Sequence, residues 1–469
     1  MKKLNFIYIL LAFFFVSQQA FAQVDRTHAP KAEKPAKIKL KTPKTFTLPN
    51  GLKVLVVSNH EIPSVTFSLR LYNNPVLEGS KAGMSSITSS LMGSGTATRT
   101  KDEINEEMDF MGTAFSSGTS GMYVETLSRY KKKSFEIMAD VALHSKFSKE
   151  EFEKAMNQES NGLAMVPNSM DAISKNLVNV ANFGHEHPYG EIETLETLKN
   201  VTLADCQSFY ENAYTPNNAY LSMIGDISYK EAKALATKYF STWKKSANKT
   251  VAPTAPEAPS KTTIYFSDLE SAQQSSITIT NPIKYNPKNS DYIAAKLMAN
   301  ILGGGSSARL YKNLRETHGY TYGAYSYVSP NRFTGEFVAS GKVRNAVTDS
   351  AIVEFMHELK AIRKAPVTQL ELDQAKATMI GSYARSLEDP KNIASFAISQ
   401  ELYKLPKTFY ATYIQKIQAV TLEDIQKAAE KYIQPENSNI IVVGKGSEVK
   451  ESLKQFGEVV DFGPFGKKL

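Results

Sequence analysis

The chain has 469 residues, a length that suggests about two to four domains. Hydrophobic residues make up 42% and charged residues 22% of it, which excludes an extensively disordered chain and a coiled-coil rod. The 55 basic and 47 acidic residues give a net charge of +8 without a dense basic cluster, so nucleic acid is not expected as the main partner. One cysteine, Cys206, excludes an internal disulfide framework and a cysteine-based zinc site.

The first 22 residues have the pattern of a secretory signal peptide. Lys2 and Lys3 precede an apolar run at 4–16, and an Ala-Phe-Ala segment ending at Ala22 provides the small residues that a signal peptidase requires. The run is shorter than the ~20 residues of a membrane-spanning helix, and no cysteine near the cut could carry a lipid. We therefore predict export with cleavage near Ala22, into the periplasm of a cell with two membranes, without a membrane span. Residues 23–44, rich in Lys, Pro and Ala, are predicted to form a flexible lead-in.

Short strand patterns and amphipathic helical patterns follow one another after the lead-in. Residues 46–57 predict two strands around a Pro-Asn-Gly turn, and Thr100-x-x-Glu103 is a capping pattern that begins a helix. The other predicted elements are a strand at 64–71, helices at 81–92 and 100–111, a strand at 122–128, and helices at 131–143 and 149–164. This order predicts an α+β fold, in which a sheet carries helices packed mainly on one side.

The sequence contains this unit twice. Residues 201–225 align without gaps to residues 420–444 with nine of 25 positions identical, and Thr-x-x-Asp begins a predicted helix in both copies. Residues 244–263, rich in Pro, Ala, Lys and Thr, have no apolar periodicity and are predicted to be a linker. The sequence therefore predicts two homologous duplicated domains, at 45–243 and 264–469.

Five short motifs occur along the two predicted domains. They are PNGLKVLV at 49–56, KAGM at 81–84, HPYG at 187–190, GGGSSARL at 303–310 and LRETHGYTY at 314–322. In this order, and on a duplicated unit, they resemble the pitrilysin-type metallopeptidases, the family of insulin-degrading enzyme and the mitochondrial processing peptidases. The resemblance extends from Phe46 to Gly446 and implies a two-domain α+β fold.

The resemblance also points to a missing zinc site. Active members of the family carry His-x-x-Glu-His on the first long helix, where the histidines bind zinc and the glutamate activates a metal-bound water. Counted from the Gly-Met pair, these positions hold Ser86, Ser89 and Ser90, which are neither zinc ligands nor general bases at neutral pH. The third ligand of the family, a glutamate, falls in the helix around 153–159, with Ala155 as the expected position. We therefore expect no metal in this chain and no peptidase activity of the chain alone.

A second family feature is present. Members use an arginine and a tyrosine of the second domain, seven residues apart, to hold the substrate backbone and stabilise the developing oxyanion. Arg315 and Tyr322 have this spacing in the matching context, so the resemblance implies the same role for them. The alternative is an ordinary surface arginine and a packed tyrosine.

The chain lacks the zinc-binding residues but has the arginine and the tyrosine. This combination resembles one subunit of the two-subunit bacterial members of the family. There, one subunit carries the zinc motif and its homologue supplies the arginine and the tyrosine. We therefore expect a homologous partner that binds zinc through an intact motif, and unfolded peptides as the substrate. The alternative is a catalytically dead scaffold or peptide-binding protein of the same fold, as among the core subunits of respiratory complexes. Whether the isolated chain forms a homodimer stays open.

Three other signals are weaker. His185 and His187 are spaced for a metal only if they lie on a strand, but the neighbouring Gly and Pro residues predict a loop. The serines of the first helix lack the base and the sharp turn of a serine hydrolase. Cys206 lies at a helical position opposite Ile425 of the second copy, which predicts a buried structural thiol.

Overall fold

The computed structural model describes residues 42–246 and 251–469. The predicted signal peptide (1–22), its cleavage near Ala22 and nearly all of the predicted lead-in (23–44) lie outside the described residues. Within the described ranges, no helix has the length and the apolar character needed to cross a membrane.

The first domain follows the predicted order of strands and helices. Its elements are β1 (Lys44–Thr47), β2 (Lys53–Ser58), β3 (Ser64–Leu71), α1 (Met84–Leu91), α2 (Lys101–Phe110), β4 (Ala114–Gly118), β5 (Gly121–Leu127), α3 (Lys131–His144), α4 (Lys149–Met165), α5 (Met170–Phe183), α6 (Leu195–Lys199), α7 (Leu203–Ala213), β6 (Ala219–Gly225) and α8 (Tyr229–Phe240). Helix α1 begins at Met84 and not at Lys81, because Gly83 has a φ of +108° and a 3₁₀ turn occupies Gly79–Lys81.

The second domain repeats the series. Its elements are β7 (Thr263–Asp268), β8 (Gln274–Ile283), α9 (Tyr292–Gly303), α10 (Arg309–Tyr311), β9 (Thr321–Ser329), β10 (Gly335–Arg344), α11 (Thr348–Lys364), α12 (Gln369–Ser386), α13 (Pro390–Leu402), α14 (Tyr413–Ala419), α15 (Leu422–Tyr432), β11 (Asn439–Gly444), α16 (Gly446–Leu453) and β12 (Glu458–Asp461). Between Phe240 and Thr263, the described residues form neither a helix nor a strand.

The two sheets share one topology. Their strand orders are β1-β2-β6-β3-β5-β4 and β12-β7-β11-β8-β10-β9. In each, the second and third strands of this order are parallel and the following pairs are antiparallel. Only the first strand differs, since β1 runs antiparallel to β2 and β12 runs parallel to β7. The predicted α+β fold of two duplicated domains is therefore confirmed.

The helix starts in the repeated segments have the same geometry. Thr202 Oγ1 accepts a hydrogen bond from the Asp205 amide, and the Asp205 carboxylate accepts one from the Thr202 amide at 2.9 Å. Thr421 and Asp424 form the same reciprocal pair, with the Thr421 amide donating at 2.9 Å. Each pair satisfies two backbone groups at a helix N-terminus. The Thr-x-x-Asp pattern thus begins a helix in both copies, as predicted.

On one face of each sheet lies a helix from the other domain. Helix α5 of the first domain packs on the second sheet, where Ile173 and Leu177 contact an apolar cluster with Ile441 and Val443. In exchange, α13 of the second domain packs on β2 and β6, with Ile398 against Leu55. Ile173 and Leu177 are fully buried, and burial of such a side chain contributes about 1.5–3 kcal/mol. The two domains therefore share parts of their apolar cores.

Candidate functional site

The degenerate zinc positions lie together on α1. Ser86 and Ser90 are one turn apart and so share a face of this helix, and Ser90 is exposed. Ser89 contributes to the structure, since its Oγ accepts a hydrogen bond from the Thr119 amide at 3.3 Å, in the turn between β4 and β5. Among the described residues, no group of three or more His, Cys, Asp or Glu side chains is placed to hold a metal ion. The serines therefore offer hydroxyl groups where a zinc site would need imidazole or carboxylate ligands.

The expected position of the third ligand is apolar and buried. Ala155 lies in α4, is 6% exposed and belongs to the core of the first domain. Its methyl group packs against apolar neighbours and has no atom that could bind a metal.

Acidic residues that the sequence analysis did not identify lie beside the start of α1. Glu78 accepts hydrogen bonds from the amides of Gly83 and Ser85, at 3.0 and 3.1 Å, and so caps this helix. Glu193 lies next to Gly83, and its Oε1 is buried without a hydrogen-bond partner. Burial raises the pKa of Glu193 to about 7, and the negative charges of Glu159 and Glu78 contribute to the shift.

A sequence signal for this group existed. The acidic residues Glu191 and Glu193 closely follow the HPYG motif. The Glu191 carboxylate accepts a hydrogen bond from the Glu78 amide at 2.9 Å, which ties this loop to the start of α1. What the sequence could not provide is the burial of Glu193, because Gly83 and Glu193 are far apart along the chain.

Arg315 lies in an unusual helical turn. The segment Lys312–Thr317 after α10 is a π-helix, and the His318 amide donates to the Asn313 carbonyl at 3.1 Å. Leu314 is fully buried and anchors the turn, whereas Arg315 is exposed. Single π-helical turns occur frequently at functional sites. This turn presents the Arg315 side chain at the surface.

The structure brings Arg315 and Tyr322 into contact. The Arg315 guanidinium lies over the Tyr322 ring, 4.9 Å from its centroid, and Arg315 Nη1 donates to the Thr321 carbonyl at 3.3 Å. Tyr322 is 80% exposed, so the contact leaves its hydroxyl accessible. Tyr322 is therefore not packed in a core, which was the alternative for this residue.

The strand that carries Tyr322 is the edge of the second sheet. The register of β9 against β10 shifts opposite Gly341–Val343, directly beside Tyr322. Thr321 holds the irregularity in place, since its Oγ1 donates to the Lys342 carbonyl at 2.6 Å. Such irregularities re-aim side chains next to binding sites. Tyr325 and Tyr327 follow on the same strand, each about half exposed.

Within the described residues, the serines of α1 and the Arg315–Tyr322 pair do not contact one another. Ser86, Ser89 and Ser90 belong to the first domain, Arg315 and Tyr322 to the second, and no hydrogen bond, ion pair or ring contact of the described residues joins the two groups.

The histidine pair has a packing role. His185 Nε2 lies 2.9 Å from the Gly466 carbonyl oxygen, and His187 Nε2 lies 3.1 Å from that of Thr254. His187 also stacks on Phe183, and burial lowers its pKa. Both side chains lie in the loop after α5, as predicted, and contact backbone carbonyls rather than one another.

Two family models match the chain. The model described as insulinase (peptidase family M16) matches residues 55–189, and the model described as the peptidase M16 inactive domain matches residues 200–379. The chain belongs to peptidase family M16. This confirms the resemblance to the pitrilysin-type metallopeptidases, and the two matches lie on successive stretches of the chain.

Relatives of this M16 protein span nearly the same length. The uncharacterized zinc protease YmxG of Bacillus subtilis is 24% identical over 395 residues, covering 83% of this chain and 95% of that protein. An uncharacterized zinc protease of Rickettsia bellii is 26% identical over 340 residues, covering 70% of this chain and 80% of that protein.

Solved structures share the fold. The peptidase M16 inactive domain from Pseudomonas fluorescens has a TM-score of 0.78 and 23% identity, covering 86% of this chain and 98% of that one. A protease from Helicobacter pylori has a TM-score of 0.77 and 18% identity, covering 87% of this chain and all of that one. At these identities, the similarity shows a common M16 architecture and not a common activity.

Proposed function

We propose that this M16 chain is the non-catalytic, substrate-binding subunit of an exported heteromeric zinc endopeptidase. In this proposal, the chain supplies Arg315 and Tyr322 to the zinc site of a homologous partner that carries His-x-x-Glu-His. The observation that carries the proposal is the exposed contact between Arg315 and Tyr322, combined with serines at all three motif positions of α1. An exposed pair can reach a substrate, whereas a scaffold of the same fold would not require this pair at the surface.

The chemistry is divided between the two subunits. Zinc bound by the partner would polarise the scissile carbonyl and provide the nucleophilic water. The Arg315 guanidinium carries a permanent charge and can donate hydrogen bonds to the peptide backbone. The Tyr322 hydroxyl can donate to the oxygen of that carbonyl as it becomes negative.

The edge strand β9 offers a surface for an extended peptide. At the end of the sheet order, β9 pairs with β10 only, so its other side has no strand partner among the described residues. An extended peptide can pair with such an edge through its backbone, which gives affinity without requiring one sequence. Tyr325 and Tyr327 would contact the peptide side chains, which suits unfolded substrates of varied sequence.

Co-purification tests the proposed partner. The tagged chain is recovered from its own cells, stoichiometric companions are identified by mass spectrometry, and zinc is measured in the complex and in the isolated chain. We expect a homologue with His-x-x-Glu-His, together with zinc that stays with this partner. Recovery of the chain alone, or with an unrelated assembly, would instead support the scaffold alternative.

Substitution of Arg315 tests the proposed site within that complex. Arg315→Ala is expected to lower kcat by about 10²–10³-fold on an unfolded peptide, the loss typical of one oxyanion-site donor. The matched control is Arg129→Ala, because Arg129 is also exposed and stacks on a tyrosine, with its guanidinium 4.8 Å from the Tyr130 ring. Equal activity of the two variants would overturn the role assigned to Arg315.

A further inference from the structure

A basic cavity of about 890 Å³ lies in the second domain. The loop before α9, the turn after α13, and helices α14 and α15 surround it, and none of the lining residues belongs to β9 or to the turn of Arg315. Five lysines and two aspartates line it, namely Lys288, Lys404, Lys416, Lys427, Lys431, Asp291 and Asp424. We call this cavity the basic trough.

Both aspartates of the basic trough already have partners. Asp291 forms an ion pair with Lys431 at 2.6 Å and accepts a hydrogen bond from the Tyr432 hydroxyl at 2.9 Å. Asp424 accepts from the amide and the hydroxyl of Thr421, both at 2.9 Å, in the capping box of α15. The charge of Asp291 is therefore balanced by Lys431, whereas Asp424 keeps its negative charge, which acts on Lys427 of the same helix.

Three lysines of the trough have no carboxylate partner among the described residues. These are Lys288, Lys404 and Lys416, whereas Lys427 is paired with Glu423 at 2.6 Å. The three come from three separate elements, the loop before α9, the turn after α13 and helix α14, and all line the cavity. Unpaired cations around a concave surface attract anions.

Lys404 has an unusual backbone conformation. Its φ is +49°, and it is the one non-glycine residue of the described ranges with a positive φ. The Leu405 amide donates to the Gln400 carbonyl at 2.8 Å, and the Lys404 amide donates to that of Glu401 at 3.1 Å, a pattern that ends α13 in a Schellman motif. Glycine adopts this conformation without strain and is the usual residue there. A lysine in its place carries a conformational cost, and it adds a cation to the trough.

The wall around Lys416 combines charge with apolar surface. The Lys416 ammonium lies 4.1 Å from the centroid of the Phe409 ring, and burial lowers its pKa. Leu405, Pro406 and Val420 also line the trough, so its surface is apolar between the cations. An anionic ligand that also has apolar groups would match both features.

We propose that the basic trough binds acidic peptide segments in which carboxylate and apolar side chains alternate. The carboxylates pair with Lys288, Lys404 and Lys416, and the apolar side chains lie against Pro406 and Phe409. Lysine acts as a mobile point charge without the fixed geometry of arginine, which suits carboxylates on a flexible peptide. A single inorganic anion would leave the apolar wall of the trough uncovered. The site does not depend on the proposed zinc partner.

Fluorescence anisotropy of the full chain tests this proposal. The probe is a fluorescein-labelled hexapeptide of alternating Glu and Leu, and the same peptide with Gln in place of Glu is the control, which lacks the side-chain carboxylates but keeps the label. We expect saturable binding of the acidic peptide only, weakened about threefold to tenfold by Lys404→Gly and again by Lys416→Gln. Lys149→Gln, at an exposed lysine of the first domain, is expected to leave the affinity unchanged.

Thermal melting tests whether weaker binding by the Lys404→Gly variant is caused by loss of its fold. Lys404→Gly is expected to melt at the same temperature as the original chain or higher, because glycine relieves the backbone strain. Absence of saturable binding, or equal affinities of the Lys404→Gly and Lys149→Gln variants, would overturn the proposal. Full displacement of the peptide by inorganic phosphate at constant ionic strength would also overturn it, since the site would then be one for a small anion.

Discussion

Asp171, near the start of α5, pairs with Lys342 of β10 at 2.6 Å and so joins the first domain to the second. The equivalent positions in the other half carry the opposite charges. There, Lys391 near the start of α13 pairs with Glu125 of β5 at 3.0 Å. Asp171 and Lys391 are each the second residue of the exchanged helix, and Glu125 and Lys342 each lie on the strand next to the central antiparallel pair. The duplicated domains therefore contact one another through the same geometry with the signs of charge reversed.

Because α5 and α13 each pack on the sheet of the other domain, we predict that the two domains unfold together. Leu177 is fully buried between α5 and the second sheet, and truncation of such a leucine costs about 2–5 kcal/mol. The single tryptophan, Trp243, is buried in the core of the first domain, so its fluorescence reports on that domain alone. We expect Leu177→Ala to lower the midpoint of denaturant unfolding by the same amount in tryptophan fluorescence and in far-UV circular dichroism.

The control for this experiment is Leu370→Ala, since Leu370 is 66% exposed and its truncation should leave both midpoints unchanged. If Leu177→Ala left the Trp243 transition in place while circular dichroism showed two steps, the domains would be independent folding units.

The hydroxyl of Tyr322 is predicted to contribute to turnover in the proposed complex. Tyr322→Phe keeps the ring under the Arg315 guanidinium and removes only the hydroxyl, so substrate binding should change little while kcat falls by about 10²-fold. Tyr130→Phe is the matched control, because Tyr130 also lies under a guanidinium, that of Arg129 at 4.8 Å, and it should retain nearly full kcat. Steady-state kinetics of both variants with one unfolded peptide makes the comparison. A decrease in kcat of equal size for both would argue against a specific role of the Tyr322 hydroxyl.

Glu193 is predicted to make the stability of the first domain depend on pH. Its pKa is raised from 4.5 to about 7 in the folded chain, so the folded state binds the proton more tightly than the unfolded state does. The stabilisation from this proton is fully present below pH 4.5 and is lost as the pH rises to about 7. Because Glu193 is partly accessible to solvent, we expect a loss of only about 1 kcal/mol.

Glu193→Gln should remove this dependence. We expect the variant to unfold at a higher denaturant concentration than the original chain at pH 8, with a smaller difference at pH 5. Glu196→Gln, at an exposed position of the neighbouring helix α6, corrects for the change in net charge. An identical effect of Glu193→Gln at both pH values would show that the ionisation of this residue does not affect stability.

Much of the fold could be predicted because its signals are local. The reciprocal hydrogen bonds of Thr202 with Asp205 and of Thr421 with Asp424 involve residues three apart, so a short pattern was enough to place both helix starts. Strand β4 (Ala114–Gly118) was not predicted, since it consists mainly of small residues without apolar alternation. The exchange of α5 and α13 also left no local signal, because each helix packs on strands of the other domain.

The same distinction applies to the candidate site. The spacing of Arg315 and Tyr322 could be read from the sequence, and the structure places them in contact. The trough lysines and Glu193 could not be found in this way, because their significance comes from neighbours that are distant in sequence. Lys404, for example, attracts notice only through its backbone conformation.

We predict that Gly83 cannot be replaced without loss of stability, because of its positive φ and the adjacent Glu193 side chain. Gly162 has neither constraint. Gly83 has a φ of +108°, and a Cβ there would lie 2.4 Å from Glu193 Oε1, so Gly83→Ala should destabilise the chain by about 1–3 kcal/mol. Gly162 lies inside α4, where an added Cβ would meet no atom of a neighbouring element within 4 Å, so Gly162→Ala should stabilise the chain by about 0.5–1 kcal/mol. Chemical denaturation measures both changes. Combining Gly83→Ala with Glu193→Ala should recover only the part of the loss caused by the clash, since the strain of a positive φ remains.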